Sequence, residues 1–470
     1  MQYSVINLSI ARKNPDFRID ADYFEPKYQK LEKFLFSKKT SDLNDYSSFV
    51  KKGIFDISPN NYVENNGVAF LRSGDLKDEF ISSDEIMEIA KESHEKEKKT
   101  ELVKNDLLMA KVGTIGDVAI NLRFERLNFS QNVMGIKIKK EYKPISGFLL
   151  SFLNCSYGRN QVNRVLSGQV QQKLTLEDIK KVKVINLKDS IQKLISEIVY
   201  KAYLLKEKSK NTYSQAEQLL LSELELLNWK PKHALAFVKN FSDTKQSDRF
   251  DAEYFQPKYE EIIGAVKKYK GGFDTIGEQF TLSKKSFKKI DDKEYRYIEI
   301  GCVNISDGTM EAIILQGLEL PANAKIKLQR NDVIISKVRP YRGAIGIVDN
   351  DDFVGSGAFT VLGENGIINK ETLMVFLRLK PLLDFSLKFN VGTSYPVITD
   401  EDILNFLLPK IDSETQEEIK EKITEMYETK KLSKSLLEIA KRGVETAIEK
   451  DEQEAEKWIN SEVDGLVIKI

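Results

Sequence analysis

Apolar residues recur at intervals of three and four along two long stretches of the chain, a spacing that places side chains on one face of a helix. The first stretch carries Ile191, Leu194, Ile195, Ile198, Val199, Ala202, Leu205, Leu219, Leu220 and Leu224, and the second carries Ile419, Ile423, Met426, Leu436, Ile439 and Ala440. A helix of about 36 residues spans roughly 55 Å, so such a stripe needs a partner along its length. We expect the two helices to pair antiparallel. The alternative is that each packs only on its own domain.

The region ahead of each long helix alternates short β-rich runs with Gly, Asn and Asp turns. These runs cover 68–71, 107–109 and 133–138 in the first region and 297–300, 333–335 and 344–348 in the second. Each region also opens with a helical pattern that starts at a proline, Pro26 or Pro257, because proline suits the first turn of a helix. The pattern predicts two mixed, strand-dominated domains.

The two regions are copies of one unit. Arg18–Tyr28 (RIDADYFEPKY) and Arg249–Tyr259 (RFDAEYFQPKY) share eight of eleven residues, where chance gives roughly one, so the sequence is internally duplicated. Lys104–Val112 likewise corresponds to Arg330–Val338, and Gly168–Ile179 (GQVQQKLTLEDI) corresponds to Gly392–Ile403 (GTSYPVITDEDI). The offsets are 231, 226 and 224 residues, so one unit of this length occurs twice.

Composition narrows the class of protein. The 470 residues are 41% hydrophobic and contain no apolar run long enough for a membrane span. The first residues lack a signal-peptide pattern, so we expect a cytoplasmic protein with no membrane partner. Two cysteines, Cys155 and Cys302, and two histidines cannot supply a Cys/His zinc site of the usual spacing. We therefore expect no metal and no cofactor.

The formal net charge is +0, but the charge is unevenly distributed. Between Lys325 and Gly343, six basic residues stand against one acid, Asp332. The stretch from Glu445 to Glu456 is acidic in the same proportion. Local basic stripes in a neutral chain suit a protein that touches phosphates at chosen places.

Two strand-rich units, each opened by R-x-D-A-x-Y-F-x-P-K-Y, closed by T-x-x-D-I and followed by a long helix, resemble the specificity subunits of Type I restriction-modification systems. The resemblance covers essentially the whole chain. It implies an α+β fold with two similar globular target-recognition domains, separated by long antiparallel paired helices in a pseudo-twofold internal repeat. The expected segments are 1–186 and 230–410 for the recognition domains, 187–229 for the first spacer helix, and 411–470 for the second spacer helix and tail.

The resemblance also implies a function. It predicts a non-catalytic subunit that binds double-stranded DNA, docks two methyltransferase (modification) subunits and, through them, restriction or translocase subunits. The partners in that family methylate adenine at N6. Two recognition domains on a rigid arm should read two short DNA blocks whose centres lie about one turn, roughly 10 bp, apart. Deleting 413–470 is expected to prevent binding of a second methyltransferase copy.

Candidate DNA contacts in the second unit lie on loops. The segment from Lys337 to Gly343 contains a proline and a glycine that should project Arg339, Tyr341 and Arg342 from the end of a strand. Arginine can take guanine O6 and N7 in the major groove. Further candidates are Lys284, Lys285, Lys288 and Lys289 for phosphates, and Thr393, Ser394 and Tyr395 on a second loop.

The first unit differs at the corresponding positions. Its segment Lys111–Gly116 lacks the arginines, so Arg123, Arg126, Gln131 and Asn132 are the candidate base readers. Gln169, Gln171, Gln172 and Lys173 form its second candidate loop. The first copy has Gln172 where the second has Pro396. Because only proline fixes the backbone φ angle, the two turns should differ in shape. Unlike loops on one frame imply different half-sites.

Enzymatic alternatives have weaker support in the sequence. Asn14-Pro-Asp-Phe17 is the only near match to a methyltransferase tetrapeptide, and it reads better as a turn. No phosphate-binding glycine motif is present. A nuclease site remains an alternative, because carboxylates and lysine occur together in two pairs, Asp106 with Lys111 and Asp332 with Lys337. A coiled-coil scaffold is the other alternative.

Overall fold

A computed structural model of the chain describes residues 7–9, 23–55, 57–81, 86–166, 174–283, 285–390 and 395–466. The chain forms two compact units. The first comprises Met1–Glu207 together with Lys430–Ile470, and the second comprises Lys208–Thr429. Both long helices therefore contribute residues to both units.

The helices of the described residues include the two long ones and the two proline-started ones that the sequence predicts. They are α1 (Pro26–Phe36), α2 (Leu43–Tyr46), α3 (Lys91–Lys96), α4 (Ser146–Asn154), α5 (Ser156–Val165), α6 (Leu176–Lys180), the long α7 (Asp189–Glu223), α8 (Phe241–Ser247), α9 (Pro257–Lys267), α10 (Ile276–Gln279), α11 (Lys370–Arg378), α12 (Lys380–Phe385), α13 (Asp400–Leu404), the long α14 (Ser413–Glu449) and α15 (Glu452–Gly465). Helices α1 and α9 begin at the prolines that predicted them.

Strands fill the region ahead of each long helix. In the first unit they are β1 (Thr40–Asp42), β2 (Ser47–Lys52), β3 (Tyr62–Val63), β4 (Val68–Leu71), β5 (Leu76–Lys77), β6 (Phe80–Ile81), β7 (Met87–Ile89), β8 (Leu102–Val103), β9 (Leu107–Ala110), β10 (Val118–Ile120), β11 (Arg126–Phe129), β12 (Val133–Ile138) and β13 (Lys183–Ile185). In the second they are β14 (Phe273–Thr275), β15 (Phe280–Leu282), β16 (Glu294–Ile298), β17 (Ile313–Gln316), β18 (Ala324–Lys327), β19 (Val333–Ser336), β20 (Ile345–Ile347), β21 (Phe353–Ser356), β22 (Phe359–Glu364) and β23 (Leu407–Pro409).

The two units share one sheet topology. The order β2-β12-β9-β10 in the first unit recurs as β15-β22-β19-β20 in the second, and β7-β4-β11-β8 recurs as β17-β16-β21-β18. The parallel pair β4/β11 also recurs as the parallel pair β16/β21. The first unit adds β5 and β6 at one sheet edge and β3 at another. The predicted α+β fold with an internal repeat is confirmed.

The duplicated Asn-Asp segment is a framework turn. Asn105 and Asn331 adopt the left-handed conformation, with φ of 65° and 74°. The Asp106 carboxylate accepts the N–H of Val103 at 2.7 Å, and Asp332 accepts the N–H of Gln329 at 2.8 Å. Because both aspartates are buried and bonded to backbone, they hold the turn that leads into β9 or β19.

The duplicated T-x-x-D-I segment is a helix start. The Thr175 hydroxyl accepts the N–H of Asp178 at 3.2 Å, and the Thr399 hydroxyl accepts the N–H of Asp402 at 3.0 Å. Each aspartate side chain in turn accepts the N–H of its threonine. These reciprocal bonds form a capping box, which satisfies N–H groups that have no partner within the helix.

The aromatic part of the first repeat motif is held by a cation in each unit. Arg164 donates to the carbonyl of Tyr23 at 3.0 Å, and its guanidinium lies 4.4 Å from the centre of that ring. In the second unit Lys388 donates to the carbonyl of Tyr254 at 3.2 Å and lies 4.3 Å from its ring. The motif therefore anchors a chain segment to its domain. Residues 10–22 of the first copy lie outside the described residues.

The long helices run antiparallel within each unit. In the first, the Ser433 hydroxyl donates to the carbonyl of Ala202 at 2.7 Å, and Lys188 pairs with Glu452 further along. In the second, the Ser209 hydroxyl donates to the carbonyl of Met426 at 2.9 Å. Ser209 and Ser433 are 224 positions apart, as are Ala202 and Met426, so the same bond occurs in both units with the helices exchanging roles.

The chain's last helices belong to the core of the first unit. Buried residues from α14 and α15 join this core, namely Leu436, Ala440, Val444, Ile448, Ala455, Ile459 and Val463. The acidic stretch serves the same unit, since Glu445 accepts the N–H of Ser156 at 2.8 Å and Glu452 accepts that of Lys188 at 2.7 Å. Deleting 413–470 would remove part of this core, so the deletion is not a test of docking alone.

Two further properties agree with the composition. None of the helices in the described part of the chain has the length and apolar character that crossing a bilayer requires. Cys155 is a buried free thiol, and its burial raises the pKa to about 12. Such a thiol stays protonated and unreactive at neutral pH.

Replacing the turn aspartates should destabilise the two units unequally. We expect Asp332→Ala to lower the free energy of unfolding by about 1–3 kcal/mol, because it leaves the Gln329 N–H without its acceptor. Asp106→Ala should cost more, because Asp106 also accepts the N–H of Ile138 at 2.8 Å and pairs with Lys143. Calorimetry of the full chain tests this order. Asn at either position keeps an acceptor and is the matched control, and equal losses for Ala and Asn would contradict the framework role.

Candidate nucleic-acid interface

The segment that follows β19 has a strained backbone. Arg339 adopts the left-handed conformation with φ 49° and ψ 53°, and Pro340–Arg342 then form a turn of 3-10 helix that ends at Gly343, with φ 78°. A non-glycine residue in this region costs roughly 1–2 kcal/mol. Gly113 occupies the corresponding place in the first unit, with φ 82°. The second unit therefore keeps an arginine in a strained conformation at a position where the first unit has glycine. This points to a role for the arginine side chain.

The structure brings the two candidate loops of the second unit together. The N–H of Arg339 donates to the carbonyl of Pro396 at 2.8 Å, and the N–H of Ile398 donates to the carbonyl of Lys337 at 3.0 Å. The Arg339 guanidinium lies 4.7 Å from the centre of the Tyr395 ring, and Tyr395 is 66% exposed. The half-buried Arg339 and the exposed Tyr395 thus form one cation–aromatic pair.

The neighbours of Arg339 differ in exposure. Lys337 is half-buried, and its ammonium lies 3.1 Å from the Asp400 carboxylate. Tyr341 is half-buried and Arg342 is exposed. Exposure favours Arg342 as a candidate for DNA contact, and Arg339 is favoured by its contact with the exposed Tyr395 ring. Lys337 instead ties its strand to α13.

A basic face of the second unit was only partly predicted. The Phe287 N–H donates to the Lys325 carbonyl and the Lys327 N–H donates to the Lys285 carbonyl, each at 3.0 Å. Opposed residues of an antiparallel pair, and residues two apart on one strand, share a face. Lys285, Lys325 and Lys327 therefore share one face, which we call the basic face, and all three are exposed. Lys285 also donates to Gln329.

The other predicted lysines of this segment lie nearby. Lys288 and Lys289 are exposed, and the Lys289 ammonium lies 3.8 Å from the carboxylate of Asp291. Lys285 contacts Lys327 and Gln329.

The candidates of the first unit divide between the two ends of β11. Lys111, Gln131 and Asn132 lie at one end, where the Lys111 N–H donates to the Asn132 carbonyl at 2.9 Å. Arg126 begins the strand and Arg123 precedes it, with its guanidinium 4.9 Å from the Phe124 ring. A four-residue strand spans about 13 Å. The residues at its two ends therefore cannot contact the same base step.

Several candidates lie outside the described residues. They are Gln169, Gln171, Gln172, Lys173, Lys284, Thr393 and Ser394.

The Asp–Lys pairs do not form a metal site in the part of the chain that the structure describes. Burial raises the pKa of the Asp332 carboxyl, which accepts a backbone N–H, while Lys337 pairs with Asp400. Over the same residues, no group of three His, Cys, Asp or Glu side chains is arranged to hold a metal ion.

The first unit also matches a known family. The model of the Type I restriction modification DNA specificity domain matches residues 37–217. The predicted resemblance to specificity subunits is thereby confirmed. The matched segment takes in β1–β13 and α7 as far as residue 217.

Three solved structures cover most of the chain at low identity. The Type I restriction-modification S subunit from M. genitalium is 12% identical, covers 92% of this chain and 96% of its own, and has a TM-score of 0.38. The HsdS subunit from Thermoanaerobacter tengcongensis is 14% identical (88% and 97% covered, TM-score 0.29). A chain from a structure of Type I R-M complex assembly and conformational transition is 11% identical (90% and 97%, 0.28). No curated protein matches the chain in sequence.

The strain at Arg339 can be measured by comparing two substitutions that both remove the guanidinium. We expect Arg339→Ala to be about 1–2 kcal/mol less stable than Arg339→Gly, because only glycine adopts the left-handed conformation without cost. The same pair at Arg342, which lies in a helical turn, is the control and should show the opposite order. Urea unfolding of the four variants gives both differences. The same order at both positions would refute the strain.

Proposed function

We propose that this chain is the DNA-specificity subunit of a Type I restriction-modification complex. The observation that carries the proposal is the repeated topology. The first unit matches the specificity domain, and the second repeats its strand order, its framework turn and its helix start. In this proposal each unit reads one half of an interrupted DNA target. The recognition domains are 1–186 and 230–410, and the spacer segments are 187–229 and 411–470.

The difference between the loops supports two unlike half-sites. The second unit presents Arg339, Arg342 and Tyr395, whereas Gly113 occupies the place of Arg339 in the first unit, where Gln131 and Asn132 lie at the same end as Lys111. Arginine prefers guanine edges, while asparagine and glutamine prefer adenine. The basic face would hold phosphates, which position the protein without reading sequence.

Chemistry would belong to partner chains. We propose that the chain docks two methyltransferase subunits, which modify adenine, and through them the restriction or translocase subunits. The purified chain should bind DNA yet show neither methyl transfer nor cleavage, and it should direct methylation once a modification subunit is added. Turnover by the isolated chain, free of any partner, would favour the methyltransferase or nuclease alternative.

Removing the Arg339 guanidinium should relax one half-site. We expect Arg339→Ala to weaken binding to the cognate DNA by about 1–3 kcal/mol and to broaden the base preference in one block only. Selection from a DNA library randomised in both blocks measures the two preferences separately. Equal weakening on all sequences would make Arg339 a phosphate contact.

Neutralising the basic face should act on all sequences alike. Each phosphate contact contributes roughly 0.9 to the slope of log K against log salt. We expect the double variant Lys325→Gln, Lys327→Gln to lower that slope by up to roughly 1.8 without changing base preference. Lys457 on α15, whose side chain is 75% exposed, is the control, and replacing it with Gln should leave the slope unchanged. An unaltered slope in the double variant would remove the basic face from the interface.

A further inference from the structure

A buried arginine lies behind the 337–343 loop. Arg378 ends helix α11 and is only 6% exposed. Its guanidinium makes four hydrogen bonds, and each of its three nitrogen atoms donates. A charge taken out of water at this depth is tolerated only when its donors are satisfied.

Three of the four acceptors are backbone carbonyls. Nη1 donates to Gly343 at 2.6 Å and to Ile345 at 3.0 Å, and Nη2 donates to Ile305 at 2.7 Å. Gly343 closes the loop that carries Arg339, and Ile345 begins β20. One side chain thus fixes the point where this loop returns to the sheet.

The fourth acceptor belongs to the long helix α7. Nε of Arg378 donates to the Tyr213 hydroxyl at 2.6 Å. Tyr213 is 5% exposed, and its burial raises the pKa, although the Arg378 charge acts in the opposite direction. The hydroxyl is therefore neutral at physiological pH, and the contact is a hydrogen bond from a charged donor rather than an ion pair.

The first unit has a shorter version of this contact. Asn154 stands 224 positions before Arg378, at the end of α4, and exchanges hydrogen bonds with Val118 of β10 at 2.9 and 3.2 Å. Leu437 stands in the place of Tyr213. The first loop is also one residue shorter, from Lys111 to Gly116 rather than from Lys337 to Gly343. The longer loop, in the second unit, is thus the one held by the additional hydrogen bonds of Arg378.

We infer that Arg378 is a positioning residue for DNA reading by the second unit, fixing the Arg339 loop against α7 through Tyr213. The inference rests on the proposed function. It assigns specificity to a residue that need not touch DNA, because a reading arginine must be held in place to discriminate between bases.

The test uses the full chain with its methyltransferase partner and a DNA library randomised in both half-sites. We expect Arg378→Met, which keeps bulk but removes every donor, to lose tenfold or more of the discrimination in one half-site while the other is unchanged. Tyr213→Phe removes one acceptor and should cause a smaller loss in the same half-site. Asn154→Ala is the counterpart in the first unit and should relax the other half-site.

Destabilisation alone must be separated from positioning. Leu373→Ala empties a fully buried site on the same helix α11 and should lower the Tm without altering discrimination when all variants are assayed well below their Tm. Full discrimination in Arg378→Met would overturn the inference, as would an equal loss in both half-sites. If that variant does not fold, unchanged discrimination in Tyr213→Phe overturns it. A wild-type complex that selects no two-part site would instead overturn the proposed function.

Discussion

The whole architecture depends on two helices whose apolar stripes each serve two cores. Ile195 and Ile198 of α7 are buried in the first unit, and Ala216 and Leu220 of the same helix are buried in the second. Helix α14 does the reverse, with Ile419 and Ile423 in the second unit and residues from Leu436 onwards in the first. A shift in the phase of either stripe would therefore misplace side chains in both units. The buried Ser209 and Ser433 hydroxyls add a polar constraint on register, because each needs the carbonyl of its partner helix.

The segments that are alike in the two units and the loops that differ between them occupy different parts of each unit. The two copies share the segments that hold the backbone in place. These are the Asn-Asp turn, the capping box, the tyrosine bound by a cation, and the strands in their shared sheet order. The segments that differ are those between these anchors, where a glycine in one copy corresponds to a strained arginine in the other. Under the proposed function, a change of DNA target would need new loop residues only, and the backbone hydrogen bonds that support the loops would remain intact.

Local and repeated signals were readable from the sequence, whereas long-range pairings were not. Pro26, Pro257, the six β-rich runs and both long helices were predicted because each signal lies within a short window or recurs at a fixed offset. The basic face was missed in part because it depends on Ser286 pairing with Ile326, which no local pattern reports. Arg378 was missed because an arginine at the end of an apolar helix normally reads as a solvated end. The one available signal was its alignment with Asn154, which shows that the position is polar in both copies. The C-terminal stretch was taken for an acidic tail because its charges concealed the apolar spacing of Ala455, Ile459 and Val463.

The interrupted first unit has a consequence for how the protein is made. Its core includes residues beyond 430, while the second unit is one continuous stretch that ends at Thr429. Domains usually complete their folding from the N-terminus as the chain emerges from the ribosome, but here the later domain has all of its parts before the earlier one does. The nascent first domain stays incomplete until α14 and α15 have been synthesised. A ribosome that stalls before these helices, or a nonsense mutation ahead of them, would therefore leave part of the apolar core exposed to aggregation and proteolysis.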